Sequence, residues 1–357
     1  MGLRGGERVL DRIAVVAEEL GRVQALLTMF DDRRPLTPAL DDLPRIVSWL
    51  GRTPGSLALR RWLLPLYPAA VGQLSERLAR LHHQQRIDLL ISTSSAAIKG
   101  LRPPPGVAHL CYCHSPARYL WSQTDQYGQG LAGLGLRLAG PALRAWDRQT
   151  AAHVTTFLAN SRHVAELIDQ AFGRPARVVY PPVRTDWFTP DPATPRGEHW
   201  LAVGALEPYK RFDLAIEAAR LARTPLRIVG DGSARRALQR IAPDHVRFLG
   251  RLGDEQLREQ MRSASVLLFP QIEDFGITAA EAQACGLPVA ARNKGGAAEI
   301  VLDGQTGALC DGSPAELAHA ARRAQRCDPA GCVANAQRFA QDRFDRQIRG
   351  VILEHLP

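Results

Sequence analysis

Short apolar runs alternate with longer amphipathic stretches along most of this chain. ALLTMF (Ala25–Phe30), IDLLISTSS (Ile87–Ser95), VAHLCYCHSP (Val107–Pro116), FLANS (Phe157–Ser161) and RVVYPPV (Arg177–Val183) each read as a buried strand. A second series follows: HWLAVGAL (His199–Leu206), LRIVGDGS (Leu226–Ser233), VRFLGRL (Val246–Leu252), VLLFP (Val266–Pro270) and GLPVAA (Gly286–Ala291). Helical stretches separate them, among them Glu7–Leu20, Arg162–Phe172 behind Ser161, Phe212–Ala222, the Ala/Arg segment after Ser313 and Arg343–Leu356. Strands alternating with helices are the grammar of parallel sheets covered by helices, so the pattern predicts an α/β chain. Residues 43–86 read as helical pieces broken by Pro54, Pro65 and Pro68, and residues 122–150 as a Gly- and Leu-rich stretch turning helical towards Ala145–Ala152. The Pro-rich stretch Thr189–Gly197 divides the two series and predicts a linker, with one domain over 1–188 and a second over 189–342.

The densest chemistry lies between Phe269 and Val301. An apolar strand runs into an acidic loop, Glu273-Asp274, and Gly276 then opens a helix. Thr278 and Glu281 stand in capping-box spacing, and Lys294-Gly295-Gly296 turns into another helix start. Helix N-termini at the carboxyl ends of parallel strands favour anions. Glu273 and Glu281, seven residues apart, can face one crevice. The plain alternative makes Glu281 a capping residue and Glu273 a solvated acid. Lys210, just ahead of the helix Phe212–Ala222 and next to Arg211, joins an ammonium to helix N–H groups as a phosphate site would, although a surface lysine fits the same position. Gly204, Gly230, Gly232 and Gly250 end strands where backbone approaches a ligand, or are simply turn glycines. His114 falls at the carboxyl end of a strand, where ligands bind in such sheets.

Composition sharpens this picture only in part. With 357 residues and 45% hydrophobic content, the chain has ample material for two cores. The net charge of +9 suits anionic partners such as nucleotide sugars or lipid headgroups, while no nucleic-acid-binding motif appears. The basic residues are almost all arginine. Lys99, Lys210 and Lys294 are the exceptions, and each invites a reading as a site that needs a compact ammonium. Cys111, Cys113, Cys285, Cys310, Cys327 and Cys332 form no C-x-x-C pair; buried free thiols are favoured over a metal at Cys111, Cys113 and His114, and a reducing compartment fits. No spanning helix and no leader peptide are expected, which points to the cytoplasm, at the inner face of a membrane if residues 52–68 form a basic amphipathic anchor.

The ordered series EDFGIT, EAQACGLPVA, GGAAEIV and DG-x-TG (Asp303–Gly307), following on the E-x7-E pair, resembles retaining glycosyltransferases of family 4. YCHSP-x-RYLW (Tyr112–Trp121) resembles a subgroup of that family that includes bacterial O-antigen mannosyltransferases. The resemblance implies the GT-B fold, two facing Rossmann-like domains, with the last helix, 343–357, crossing back to the first. It implies a metal-independent transfer of a hexose, mannose from GDP-mannose above others, to a glycan or lipid-linked acceptor in cell-surface polysaccharide synthesis, with no cofactor. It assigns His114 and Glu273 to the transferred sugar, Glu281 to the ribose, Lys210 to the diphosphate, and the backbone of Asp274, Phe275, Gly276, Ile277 and Thr278 to sugar and phosphates. Gly204, Gly230 and Arg211 join the donor side, and Gly5, Gly6 and Arg118 the acceptor side. Two departures stand out. Ala205 occupies the place of an arginine that many relatives pair with the lysine, and the strand that normally precedes the first glycine loop is not seen ahead of Gly5: either the start belongs farther upstream, or the chain lacks that strand and the first sheet has a gap. Those departures motivate a non-catalytic scaffold as an alternative, and the shared fold a UDP-sugar epimerase as another.

Overall fold

The computed structural model describes residues 5–60, 62–94, 96–121 and 130–357, with side chains other than those of 130–138. Ser95, Arg61 and the 122–129 part of the Gly/Leu-rich stretch lie outside the described residues. The chain forms two compact units. One runs to Tyr180 and is completed by Asp345–Pro357; the other is Pro181–Phe344.

In the first unit, strands β1 (Leu26–Thr28) and β2 (Arg45–Val47) form a parallel pair. Strands β3 (Leu89–Ser94), β4 (Ala108–Cys113), β5 (Thr156–Ala159) and β6 (Ala176–Val178) form a separate four-stranded parallel sheet in sequence order. β2 corrects the all-helical reading of residues 43–86: Ile46 packs into the cluster of Leu50, Tyr67, Leu74 and Leu90, a tertiary gain that three residues of sequence do not announce. Pro68 also breaks nothing, because it lies in the first turn of the helix Tyr67–Gln84, where a missing N–H costs no bond. The helix Gly130–Thr150 likewise runs through Pro141 and starts far earlier than expected. Gly5 and Gly6 belong to the first turn of the helix Gly5–Leu20 rather than to a loop ahead of it. Residues from Asp345 onward are tied to this unit by Arg12 donating to Asp345 (3.2 Å), Arg177 to Glu354 (2.9 Å) and the Thr156–His355 hydrogen bond (2.9 Å).

The second unit holds a six-stranded parallel sheet. Its strands are β7 (Trp200–Val203), β8 (Leu226–Val229), β9 (Val246–Gly250), β10 (Val266–Phe269), β11 (Val289–Arg292) and β12 (Gly307–Cys310), in the order β12-β11-β10-β7-β8-β9. The chain winds outward from β7 to β9, returns to the centre, and winds the other way from β10 to β12. β7 and β10 therefore flank the point where the winding reverses, the place where ligands bind in such sheets. Every residue of β7 and β10 is buried, which explains their unbroken apolar sequence. The stretch read as a linker is packed: Arg262 Nε donates to the Thr189 carbonyl (2.7 Å), and Arg196 donates to the carbonyls of Ala264 and Cys285 (2.9 Å each). The division accordingly falls after Tyr180, ahead of residue 188.

Candidate active site

Two loops leave the carboxyl ends of the central strands. After β7 comes the turn Pro208–Lys210, stopped by Arg211 in a left-handed conformation (φ 54°) at the head of the helix Phe212–Ala222. After β10 comes Pro270–Phe275, then Gly276 at the head of the helix Ile277–Ala284. The two loops meet in an ion pair between the Lys210 ammonium and the Glu273 carboxylate, with side chains 14% and 23% exposed. Gln271 Nε2 donates to the same Glu273 oxygen at 3.3 Å.

Gly276 has φ 101°, and a side chain there would press on the Phe269 ring. Gly276, the N-cap, has no side chain with which to cap this helix. Thr278 lies inside it, so Thr278 and Glu281 make no capping box, contrary to their spacing. Ala279 N donates to the Gly276 carbonyl (2.9 Å), and the N–H groups of Ile277 and Thr278 head the helix, where an anion is favoured. The turn at Lys294–Gly296 lies against the acidic loop: Gly296 N donates to the Glu273 carbonyl (2.9 Å), and a Cβ on Gly296 would fall on the Phe275 backbone. Glu281 is buried (4% exposed) on the helix. Phe275 turns its ring onto Phe339, centroids 5.3 Å apart, so only its backbone serves the loop.

Behind the helix lies a closed polar network. Gln283 donates to the Thr306 carbonyl and Oγ1 (3.2 and 3.0 Å), and Asn335 donates to Gln283 Oε1 and the Ile300 carbonyl (2.6 and 2.7 Å). Asp303 accepts from Leu309 N (2.8 Å) and Arg323 (2.9 Å). The D-G-x-T-G motif is thus a scaffold for the signature helix. Gly230 packs on Gly204, whose carbonyl a Cβ on Gly230 would overlap, while a Cβ on Gly204 would meet the Phe212 ring. Arg211 spends its guanidinium on Asp213 (2.9 Å). Lys294 is exposed at its turn.

In the first unit, His114 ends the register of β4. Its N–H donates to the Ser94 carbonyl (2.7 Å), its carbonyl accepts from Asn160 Nδ2 (3.0 Å), and its ring meets Tyr112 edge-on at 5.2 Å. Burial, then the charge of Arg118, lowers its pKa to about 4, so the ring is neutral near pH 7. A Cβ on Gly6 would stand 3.5 Å from His114 Nε2, which brings Gly6 and His114 together. Arg118 opens the short helix Arg118–Trp121, whose Trp121 Nε1 donates to Asp147 Oδ2 (2.7 Å). Asp147 pairs with Lys99 (2.8 Å) deep in the unit, so Lys99 is a structural lysine. Among the described residues no group of three or more His, Cys, Asp or Glu side chains gathers to hold a metal, and all six cysteines are free.

Sequence reasoning missed Gln271 and Asp147. Gln271 carried one signal, a polar residue placed directly after an apolar central strand, and it is 2% exposed. Asp147 carried none.

Residues 3–187 match the family described as Glycosyltransferase Family 4, and residues 186–339 match Glycosyl transferases group 1. A GDP-mannose-dependent alpha-(1-6)-phosphatidylinositol monomannoside mannosyltransferase of Mycolicibacterium smegmatis is 34% identical over 57% of this chain and 62% of its own. A D-inositol 3-phosphate glycosyltransferase of Acidothermus cellulolyticus is 35% identical over 62% of this chain and 57% of its own. The chain thus matches less than two thirds of the length of these relatives. Among solved structures, Anabaena HepE in complex with UDP superposes with a TM-score of 0.71 at 19% identity, covering 98% of this chain and 96% of that one. Sucrose-phosphate synthase of Thermosynechococcus elongatus gives 0.73 at 18% identity, covering 97% and 92%. These likenesses carry the fold, which is GT-B, and together with the two sequence matches they make this chain a member of glycosyltransferase family 4, group 1.

Proposed function

We propose that this protein is a retaining hexosyltransferase that moves mannose from GDP-mannose to a glycan or lipid-linked acceptor in cell-surface polysaccharide synthesis, without a metal. The observation that carries the reading is the meeting of Lys210, Glu273 and the helix start at Gly276 beside the point where the second sheet reverses its winding. An ammonium and first-turn N–H groups suit a diphosphate, whose charge grows as the sugar leaves. In this reading Lys210 and the N–H groups of Ile277 and Thr278 hold the diphosphate, Glu273 the sugar hydroxyls and Glu281 the ribose hydroxyls. The acceptor oxygen attacks the anomeric carbon on the face from which the diphosphate departs. The carbon–oxygen bond to the diphosphate breaks, its electron pair stays on the phosphate oxygen, and that oxygen takes the acceptor proton. His114, neutral because it is buried beside Arg118, offers hydrogen bonds to the sugar and acceptor without adding charge. The mannose assignment draws on the printed activity of the mycolicibacterial relative, and UDP in the HepE complex marks the competing base.

A thermal-shift screen of GDP-mannose, GDP, UDP-glucose and UDP tests the donor. A donor at a hundred times its Kd stabilises the fold by about 2.7 kcal/mol. The GDP compounds are expected to shift the melt and Lys210→Ala to abolish the shift. Transfer undiminished in both Lys210→Ala and Glu273→Ala would refute the site.

The acceptor side is proposed to work at the inner membrane face. Trp49, Leu57, Leu59, Trp62 and Leu66 are all exposed, from 41% to 54%, and Arg52 and Arg60 are exposed among them. Residues 43–75 contain no Asp or Glu. Aromatic and leucine side chains beside arginines suit an anionic bilayer surface. No helix among the described residues is long and apolar enough to cross a membrane. The full chain should co-sediment with phosphatidylglycerol vesicles and lose that binding in Leu59→Ser/Trp62→Ser; equal binding by that variant would exclude this surface.

A further inference from the structure

Lys210 and Glu273 are the two groups that the donor-binding reading assigns to different parts of the donor, yet in the structure each is the other's partner. Their backbones are fixed. Lys210 N donates to the Glu207 carbonyl (2.9 Å), the Glu273 carbonyl accepts from Gly296 N (2.9 Å), and a Cβ on Gly295 would stand 2.5 Å from the Glu273 carbonyl oxygen. Only the side chains can change partners. Gln271, 2% exposed, lies in the loop two residues past β10 with its amide on the Glu273 oxygen that faces Lys210.

We infer that Glu273 is the resident counter-anion of Lys210, that a diphosphate binds by displacing it, and that Gln271 positions the displaced carboxylate for the sugar. This inference rests on the proposed donor-binding role of the same site. The physical argument is competition for one ammonium. A carboxylate brings one negative charge and a diphosphate brings more, spread over several acceptor oxygens, so the diphosphate wins the exchange when helix N–H groups assist it. Until then Oε1 of the carboxylate is spent on both Lys210 and Gln271. After the exchange Oε1 is released from the ammonium and the whole carboxylate can accept sugar hydroxyls, and the Gln271 amide, anchored in a buried position, keeps it from swinging into solvent. Sugar recognition is thereby conditional on the diphosphate. A free hexose finds Oε1 of this carboxylate held by Lys210, and the nucleoside diphosphate product competes with the carboxylate for the ammonium directly.

The consequence runs against ordinary expectation for a binding-site residue. Neutralising Glu273 should tighten the binding of the nucleoside diphosphate while destroying the extra affinity conferred by the sugar. Isothermal titration of the full chain with GDP, UDP and their hexose conjugates reads both effects. Glu273→Gln is expected to bind the preferred nucleoside diphosphate at least threefold more tightly than the wild type. In a Lys210→Met background, the same change is expected to have no effect, because no ammonium is left to release. Gln271→Leu is expected to leave nucleoside diphosphate affinity within twofold and raise KM for the sugar nucleotide severalfold, with partial recovery in Gln271→Asn. Unchanged or weaker diphosphate binding by Glu273→Gln overturns the exchange, and unaltered KM in Gln271→Leu overturns the role of Gln271. If neither GDP nor UDP binds the wild type or any variant, the donor-site reading itself fails, a different outcome from either of these.

Discussion

The Lys99–Asp147 pair offers the sharpest test of how the first unit is held together. Both side chains are almost wholly buried, 2% and 1% exposed, with Nζ to Oδ1 at 2.8 Å. Nζ also donates to the Asp147 carbonyl (2.6 Å) and stands 4.4 Å from the centre of the Phe172 ring. The second carboxylate oxygen accepts from Trp121 Nε1 at 2.7 Å. Lys99→Met leaves a carboxylate in the core without its cation, and Asp147→Asn leaves an ammonium without its anion. Removing one partner of such a pair costs about 3–5 kcal/mol, most of it the penalty of the stranded charge. Other bonds are kept by design: Thr150 Oγ1 still reaches the Asp147 carbonyl (3.3 Å), and an asparagine oxygen still accepts from Trp121. For a unit of this size each kcal/mol is worth roughly 2–4 °C, so either single variant should melt about 6–20 °C lower by calorimetry. The double variant Lys99→Met/Asp147→Asn strands no charge and should cost no more than one single, a strongly non-additive cycle. Additive costs, or singles that each lose less than about 1 kcal/mol, would refute the claim that the two charges depend on each other.

The close packing of the Lys294–Gly296 turn on the acidic loop makes Gly296→Ala a severe change. Its Cβ would enter the Phe275 backbone, so the variant should lose donor-induced stabilisation altogether while Gly21→Ala, with nothing near its Cβ, behaves as wild type; retained donor binding would exclude that packing. Acid should weaken the first unit through two histidines. Burial lowers the pKa values of His109 and His114 to about 4, against 6.5 for the free side chain, so the unfolded chain binds more protons between those values. Stability is therefore complete above pH 6.5 and falls as pH drops towards 4, by up to about 3 kcal/mol per histidine. Melts taken at pH 7.5 and 5 should show this loss, and His114→Asn should flatten it by one proton; an unaltered slope would mean that His114 titrates normally.

The alternation of apolar runs with helical stretches made the α/β class and most strand positions legible, because a strand buried on both faces needs consecutive apolar residues wherever it stands in the sheet. β2 was hidden because three residues carry no period, and β12 because Gly307–Cys310 begins inside the D-G-x-T-G motif, which was read only as part of the family resemblance. The E-x7-E stretch was visible as chemistry, but its spacing misled on capping. Thr278 and Glu281 stand at the right interval, yet Gly276 starts the helix and leaves Thr278 inside it.

The sequence by itself determined what is local: the periodicity of each element, the supply of carboxylates, lysine and glycine at strand ends, and the family to which those patterns conform. Tertiary structure decided which of these groups meet. Lys210 and Glu273 are 63 residues apart and become partners only because β7 and β10 are neighbours in the sheet. Lys99 and Lys210 look alike in an arginine-rich chain, and burial against Asp147 makes one structural while the loop after β7 gives the other to the site. Partner choice over such distances depends on strand order, which the burial of all the apolar faces sets together and no single stretch encodes.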